Sequence, residues 1–435
     1  MTTSARVILV MLGVSLFALA TTGQPIYSRL SYFLTLLLAG NWIWSRLALQ
    51  GLTLERKSYL RRGQVGQIFE ERFDLKNSLK LPRLLIEVND GSDLPGSPGS
   101  RVHTLIGGKQ GRSYLGRTRL VERGVFTLGP TILISGDPFG LFPVSRVIQA
   151  ENTLMVYPMM VEIETFPRPP GLLPGGEALR RRTHQVTPNS ATVREYAPGD
   201  SLNRIHWKTT ARKEKLMVKE FELDPLAEVW VFLDGENVIQ SSLPYTPVTN
   251  VEGALFQEEK YPSLAPSTVE YGACVAASVA RYYLRRGRAV GLFTTGHLAR
   301  ALPPDRSGRQ LDKILETLAM YEADGEVPFT GLVSNQCRHL PRGSTTVLIT
   351  PSVSEDVPLV VDQLIRLGLR PVVVLIDAET FNGAPGTDRV ETAIASFGIP
   401  VATIANGDDL GETLSLLGVR SGDPSLVPTR RYEIL

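Results

Sequence analysis

The residues best placed to do chemistry lie in one stretch, Val193 to Arg212, which reads VREYAPGDSLNRIHWKTTAR. Arg204, Lys208 and Arg212 recur at every fourth position, and on a helix that spacing builds one positive stripe. Such a stripe suits an acidic protein surface, a phosphate or a nucleic-acid backbone. The stretch also contains Glu195 and Asp200, so Arg194, Arg204 and Arg212 could instead pair internally and lock the segment onto a neighbouring domain. His206 with Asp200 and Ser201 has the residue types of a nucleophile relay. Neighbours on a single helical turn point in different directions, however, and a basic helix facing a partner is the simpler account.

Those side chains need a turn and a helix to hold them. Ala197-Pro198-Gly199 is read as the turn, since Pro198 fixes its own φ and Gly199 admits a sharp reversal. Asp200 then stands where a helix N-cap belongs, and no breaker follows before Arg212-Lys213, which predicts a short helix from Ser201 to about Arg212. On it Leu202, Ile205 and Trp207 are expected to face whatever lies beneath.

This segment resembles the signature of the bacterial family called domain of unknown function 58. Arg194, Tyr196, Gly199, Asp200, Arg204, Ile205, Trp207, Lys208, Thr210, Ala211 and Arg212 stand at that signature's positions without a gap. RGVFTLGP, from Arg123, and SGDPFGLF, from Ser135, resemble the family outside the signature. The resemblance implies a chain order of transmembrane helical hairpin, β domain, signature and von Willebrand factor A-like (Rossmann-like) α/β domain. It also implies partnership with a MoxR-type AAA+ ATPase.

At 435 residues, 43% hydrophobic and 21% charged, the chain has room for two or three globular domains and is not predominantly disordered. A net charge of +2 gives no general affinity for nucleic acid, and two cysteines, Cys274 and Cys337, give no disulfide framework. Val7 to Ala20 carries no charge, and Leu30 to Leu49 is apolar apart from Asn41 and Arg46 as its notable exceptions. Both runs are span candidates near the short end of the ~20 residues a crossing helix needs, joined by a turn at Gln24-Pro25. A cleavable signal is the alternative for the first. Arg6 at one end and Arg46, Arg56, Lys57, Arg61 and Arg62 at the other put both ends, by the positive-inside bias, in the cytoplasm of a bacterial plasma membrane. Only Arg29 argues the other way.

Thr53 to Met160 consists of short β-branched and aromatic runs cut by Gly, Pro, Asn and Asp, the pattern of an antiparallel β-sandwich-like domain placed at 51–161. Arg123-Gly124 and Gly136 to Gly140 are read there as turns that set hairpin geometry. Residues 162–225 form a Pro- and Gly-rich linker with Arg180-Arg181-Arg182, followed by the signature segment. From 226 to 435 buried strands alternate with amphipathic helices, as in a mostly parallel α/β sheet. The expected strands are Val229–Leu233, Val290–Thr294, Thr346–Thr350, Val372–Ile376 and Val401–Ile404.

A von Willebrand factor A-like domain ends its first strand in an aspartate-x-serine-x-serine metal site. Here Asp234-Gly235-Glu236-Asn237-Val238 keeps the acid and lacks both hydroxyls, and Pro351-Ser352 stands where a further acidic ligand is common. No metal is therefore expected, and Asp234 is read as a strand-end carboxylate capping a neighbouring amide. The five histidines show no zinc spacing, and the sequence has no Walker loop, GxGxxG after a strand or GxSxG elbow, so no cofactor is expected.

The leading expectation is a non-enzymatic, membrane-anchored adaptor that binds through Arg194, Tyr196, Gly199, Asp200, Arg204, Trp207, Lys208 and Arg212 and works with a MoxR-type AAA+ ATPase on a client protein. One alternative is an enzyme or small-ligand binder using the strand ends near Asp234. The other is an anion binder, for phosphate or nucleic acid, through the cationic stripe, with nucleic acid the less expected ligand.

Overall fold

The computed structural model describes residues 2–97, 99–149, 152–167, 190–196, 205–221, 228–247, 264–296 and 300–420. Helix α1 (Thr3–Thr22) starts at Thr2, whose hydroxyl accepts from Ala5 N at 3.4 Å, and stops at Gly23, whose φ of 65° only glycine takes without strain. Gln24 and Pro25 then start α2 (Pro25–Ala48), and Ser15 Oγ of α1 lies 2.9 Å from Ser31 Oγ of α2. Val10, Val14 and Phe17 point outward with nothing over them. With 20 residues and a mean hydropathy of 2.0, α1 is long and apolar enough to cross a bilayer.

Ten strands follow: β1 (Leu52–Ser58), β2 (Arg62–Gln64), β3 (Ile68–Asn77), β4 (Ile86–Asp90), β5 (Arg101–His103), β6 (Gly111–Arg119), β7 (Gly124–Leu128), β8 (Thr131–Ser135), β9 (Val144–Ile148) and β10 (Asn152–Tyr157). Two antiparallel sheets, β1-β3-β6 and β5-β4-β8-β9, close over Leu52, Phe73, Leu75, Ile86, Val88 and Leu133. Alternation along β3 turns Phe69, Glu71 and Phe73 inward, and the buried Glu71 is met by the Arg56 fork at 2.6 and 2.8 Å. Asp90 takes the other arm of that guanidinium at 2.8 Å.

Beyond this lie β11 (Ser190–Glu195), α3 (Trp207–Lys213), β12 (Met217–Phe221), β13 (Val229–Leu233), α4 (Thr268–Arg285), β14 (Val290–Thr294), β15 (Arg300–Asp305), α5 (Gln310–Ala319), α6 (Phe329–Cys337), β16 (Thr345–Thr350), α7 (Asp356–Arg366), β17 (Arg370–Ile376), α8 (Thr387–Ala395), β18 (Val401–Ile404) and α9 (Leu410–Arg420). One six-stranded sheet runs β15-β14-β13-β16-β17-β18, parallel except for β15 at its edge. Three of the five expected strands keep their limits, and β16 and β17 begin one and two residues earlier. Their apolar runs are legible because a strand covered on both faces buries every side chain, as β13, β14 and β16 do.

The composition boundary at residue 162 does not coincide with a packing boundary. The third sheet, β2-β10-β7, contributes Leu128, Leu154 and Val156 to the same apolar cluster as Cys274, Val275 and Val279 of α4. Ile163 and Phe166, assigned above to the linker, are buried in that cluster. Phe166 N donates to Tyr282 Oη at 3.0 Å, and Tyr283 Oη donates to Pro167 O at 2.6 Å. Residues 162–167 thus belong to the α/β body, and Arg180-Arg181-Arg182 lie outside the described residues.

Candidate functional site

The signature folds as a two-stranded ribbon carrying a short helix. β11 and β12 pair antiparallel, with Arg194 opposite Val218 and Glu195 opposite Met217. Tyr196 N donates to Leu216 O at 2.8 Å, and His206 N donates to Met217 O at 2.8 Å. Ile205 makes a β-bridge to Val218, which denies it helical geometry, so the helix starts at Trp207 rather than Ser201. The cap is correspondingly His206, not Asp200: its Nδ1 accepts from Thr209 N at 3.2 Å and lies 2.7 Å from Thr209 Oγ1. That contact commits the His206 ring to the cap. Thr210 Oγ1 accepts from Met217 N at 3.0 Å and ties the helix back to β12.

Ile205, Met217 and Val218 supply the buried side of this unit. Trp207, expected to face inward, is 67% exposed, and no residue of α3 is buried. Lys208 and Arg212 stand four apart on the same exposed helix, and among the described residues neither meets a carboxylate. Gly199, Asp200 and Arg204 lie outside the described residues, as does the side chain of Arg194.

Asp234 is elsewhere, at the carboxyl end of β13, between β14 and β16, where the strand order reverses. It is 2% exposed. Thr350 Oγ1, at the end of β16, donates to its Oδ2 at 2.5 Å, and Glu236 N donates to its Oδ1 at 3.0 Å. Gly235 follows because a Cβ there would meet Thr295 O at 2.7 Å and Tyr321 Oη at 2.9 Å. Burial raises the Asp234 carboxyl to about 7, against the lowering pull of the Thr350 hydroxyl and the Glu236 amide.

A magnesium ion needs an octahedron of oxygens. Both Asp234 oxygens already accept hydrogen bonds, and Glu236 Oε2 accepts from Phe329 N at 3.2 Å. Among the described residues no cluster of three or more His, Cys, Asp or Glu side chains could hold a metal. This set of donors does not fit such an ion.

The model of the family described as "Protein of unknown function DUF58" matches residues 192–242, from β11 past Asp234. A curated relative, the uncharacterized protein YeaD of Bacillus subtilis (strain 168), is 22% identical over 241 residues, 54% of this chain and 52% of that protein. Together these matches support assigning the chain to the DUF58 family. It spans about half the length of this relative. Among solved structures, a CARDB domain from Pyrococcus furiosus is 12% identical and covers 24% of this chain and 86% of that one, with a TM-score of 0.18. The complex of zinc 2-glycoprotein with prolactin-inducible protein from human seminal plasma is 7% identical over 24% of this chain and 92% of that one, again at 0.18. Neither likeness carries an argument about this fold.

One residue read above as part of a turn has a larger task. Arg123, just before β7, carries a side chain only 6% exposed. Its Nη1 meets Glu270 Oε1 in the first turn of α4, its Nε donates to Leu318 O at 2.9 Å, and its Nη2 donates to Tyr321 O at 2.7 Å. Tyr321 in turn donates its Oη to Asp234 O at 2.7 Å. The RGVFTLGP motif is thereby joined through Tyr321 to the strand end at Asp234. The resemblance of that motif to the family, outside the signature, is the one sequence signal for it.

Proposed function

We propose that this DUF58 protein is a non-enzymatic, membrane-anchored adaptor that captures a partner through the outward side of α3. Trp207 is the observation that carries this reading: a large aromatic, 67% exposed, on a helix that also presents Lys208, Arg212 and Lys213. Aromatic anchors beside arginine are the usual composition of interface hot spots, and the fold gains little from an uncovered indole. The matching surface would offer an apolar slot rimmed by carboxylates. A MoxR-type AAA+ ATPase is the expected owner of that surface, by family resemblance.

The anchor is proposed to be a two-span hairpin of α1 and α2. Arg6 near the start of α1 and Arg46 with Arg56, Lys57, Arg61 and Arg62 at and beyond the end of α2 support soluble domains facing the cytoplasm. A von Willebrand factor A-like class for the α/β body is supported by its strand order, 3-2-1-4-5-6 when its own strands are numbered, with the third antiparallel. The enzymatic alternative at Asp234 gains nothing from a carboxylate already engaged on both oxygens.

Capture of a purified MoxR-type ATPase by the full-length protein in detergent tests the reading. Trp207→Ala and Lys208→Glu should each cut capture more than about tenfold, the loss of one hot-spot contact, while melting stays within about 2 °C of wild type. Early unfolding of both variants would make the segment an internal clamp, and unchanged capture would remove α3 from the interface.

A further inference from the structure

The motif SGDPFGLF joins β8 to β9 and serves neither the signature ribbon nor the Asp234 cluster. Its loop is held rigidly. Asp137, itself buried, accepts from Phe139 N at 3.1 Å, Leu141 N at 3.0 Å and Phe142 N at 2.6 Å, and Gly140 takes the φ of 68° that the reversal requires. A loop tied down this firmly nonetheless leaves Phe139 68% exposed at its tip, with Pro138 exposed beside it. One exposed phenylalanine is ordinary on a protein surface; what is informative is where this one stands.

The loop is fastened to the ends of both N-terminal helices. Leu141 O accepts from Thr2 N at 3.2 Å and Thr2 Oγ1 at 3.1 Å at the cap of α1. In the last turn of α2, Ser45 Oγ donates to Phe142 O at 2.6 Å. Arg146 of β9 completes the junction by donating to Leu49 O at 2.7 Å and Leu52 O at 3.0 Å, just past the end of α2. Pro138 lines an open apolar groove together with Phe33, Leu36, Leu37, Gly40, Asn41 and Trp44, so the loop stands alongside the C-terminal half of α2, where Ser45 fastens it.

The last turns of α2, to which Ser45 ties the loop, have the make-up of a membrane boundary. At 24 residues α2 is roughly 36 Å long, more than the ~30 Å of a hydrocarbon layer, which brings its last turns to the headgroups. Trp42 is exposed there with the Arg46 guanidinium 5.2 Å over its ring, and Trp44 follows, the aromatic and basic mixture found in interfacial belts.

We propose that the Asp137–Leu141 loop is a third contact with the bilayer, seating Phe139 and Pro138 at the boundary between phospholipid headgroups and acyl chains and holding the β-sandwich against the leaflet. The inference rests on the membrane reading of α1 and α2. A ring with no polar atom to satisfy enters that boundary without cost in hydrogen bonds, and the Asp137 cage fixes its depth relative to Trp44.

Site-directed nitroxides on the full-length protein in phosphatidylethanolamine and phosphatidylglycerol vesicles test it. Cys274 and Cys337 are 0% and 1% exposed, with thiols that burial pushes up to about 12, so an introduced cysteine is labelled selectively. Phe139→Cys removes no buried contact. Its label should collide more with oxygen than with a water-soluble nickel chelate, as at Leu16→Cys on α1 and opposite to Val102→Cys on β5. A lipid signal at Leu16 with an aqueous one at Phe139 overturns the loop contact and leaves the anchor standing. Aqueous signals at both positions end the membrane reading, and this proposal with it.

Discussion

Arg123→Ala should lower the melting temperature of the full-length protein by roughly 6 to 20 °C. The guanidinium sits almost fully covered between β7 and the α/β body, where it serves the Glu270 carboxylate and the carbonyls of Leu318 and Tyr321 together. Truncation leaves that carboxylate and the Tyr321 carbonyl without this donor, while Leu318 O keeps Tyr321 N at 3.3 Å, and breaking a buried pair from one side costs about 3 to 5 kcal/mol. For a body of this size each kcal/mol moves the midpoint by about 2 to 4 °C. Arg123→Lys should recover little, since one ammonium cannot reproduce a planar fork that reaches three acceptors. Glu270→Gln should cost less than Arg123→Ala, because the amide oxygen still accepts from Nη1. Calorimetry in detergent gives the answer, and an Arg123→Ala midpoint within about 2 °C of wild type would mean the two parts of the protein do not depend on this clamp.

Arg123 also marks the limit of what the sequence discloses. Its partners lie 147 to 198 positions away, and no local pattern encodes such a pairing, so the motif reads only as a turn. The same distance hides Thr350 as the hydroxyl facing Asp234, 116 positions apart. The parallel sheet is legible for the opposite reason: VWVFL and VGLFT are continuous apolar runs whose burial follows from composition alone. β15 is illegible because Pro303 and Pro304 read as loop, yet an edge strand tolerates residues that cannot donate to a ladder. The start of α3 is misplaced because Asp200 offers a plausible cap in sequence, whereas in the fold Ile205 is claimed by a bridge to Val218. Trp207 is misplaced with it. Once Ile205, Met217 and Val218 fill the inner side of the unit, the indole is left outside.

The stability gap between Asp234→Asn and the wild type should widen by about 4 kcal/mol between pH 4 and pH 8. Burial lifts the folded carboxyl from 3.8 to about 7, so the folded protein binds this proton more tightly than the unfolded chain does. Below about pH 4 both states are protonated and the group is neutral to folding. As the pH rises toward 7 the unfolded chain gains a solvated carboxylate that the folded state cannot match, and stability falls. Above about 7 the loss is complete and constant, and a gap of about three pH units corresponds to roughly 4 kcal/mol. Asparagine mimics the protonated acid: its carbonyl still accepts from Glu236 N, and its amide can donate to the Thr350 hydroxyl. Asp74, Asp305 and Glu55, whose carboxyls are held below their ordinary values, act at lower pH and are common to both proteins, so they drop out of the difference. An offset that does not change with pH would show Asp234 ionised throughout and its surroundings wetter than this packing allows. Millimolar magnesium adds a second check at each pH. It should leave the wild-type midpoint unchanged, and a saturable rise that disappears in Asp234→Asn would mean that Thr350 yields its place to a cation.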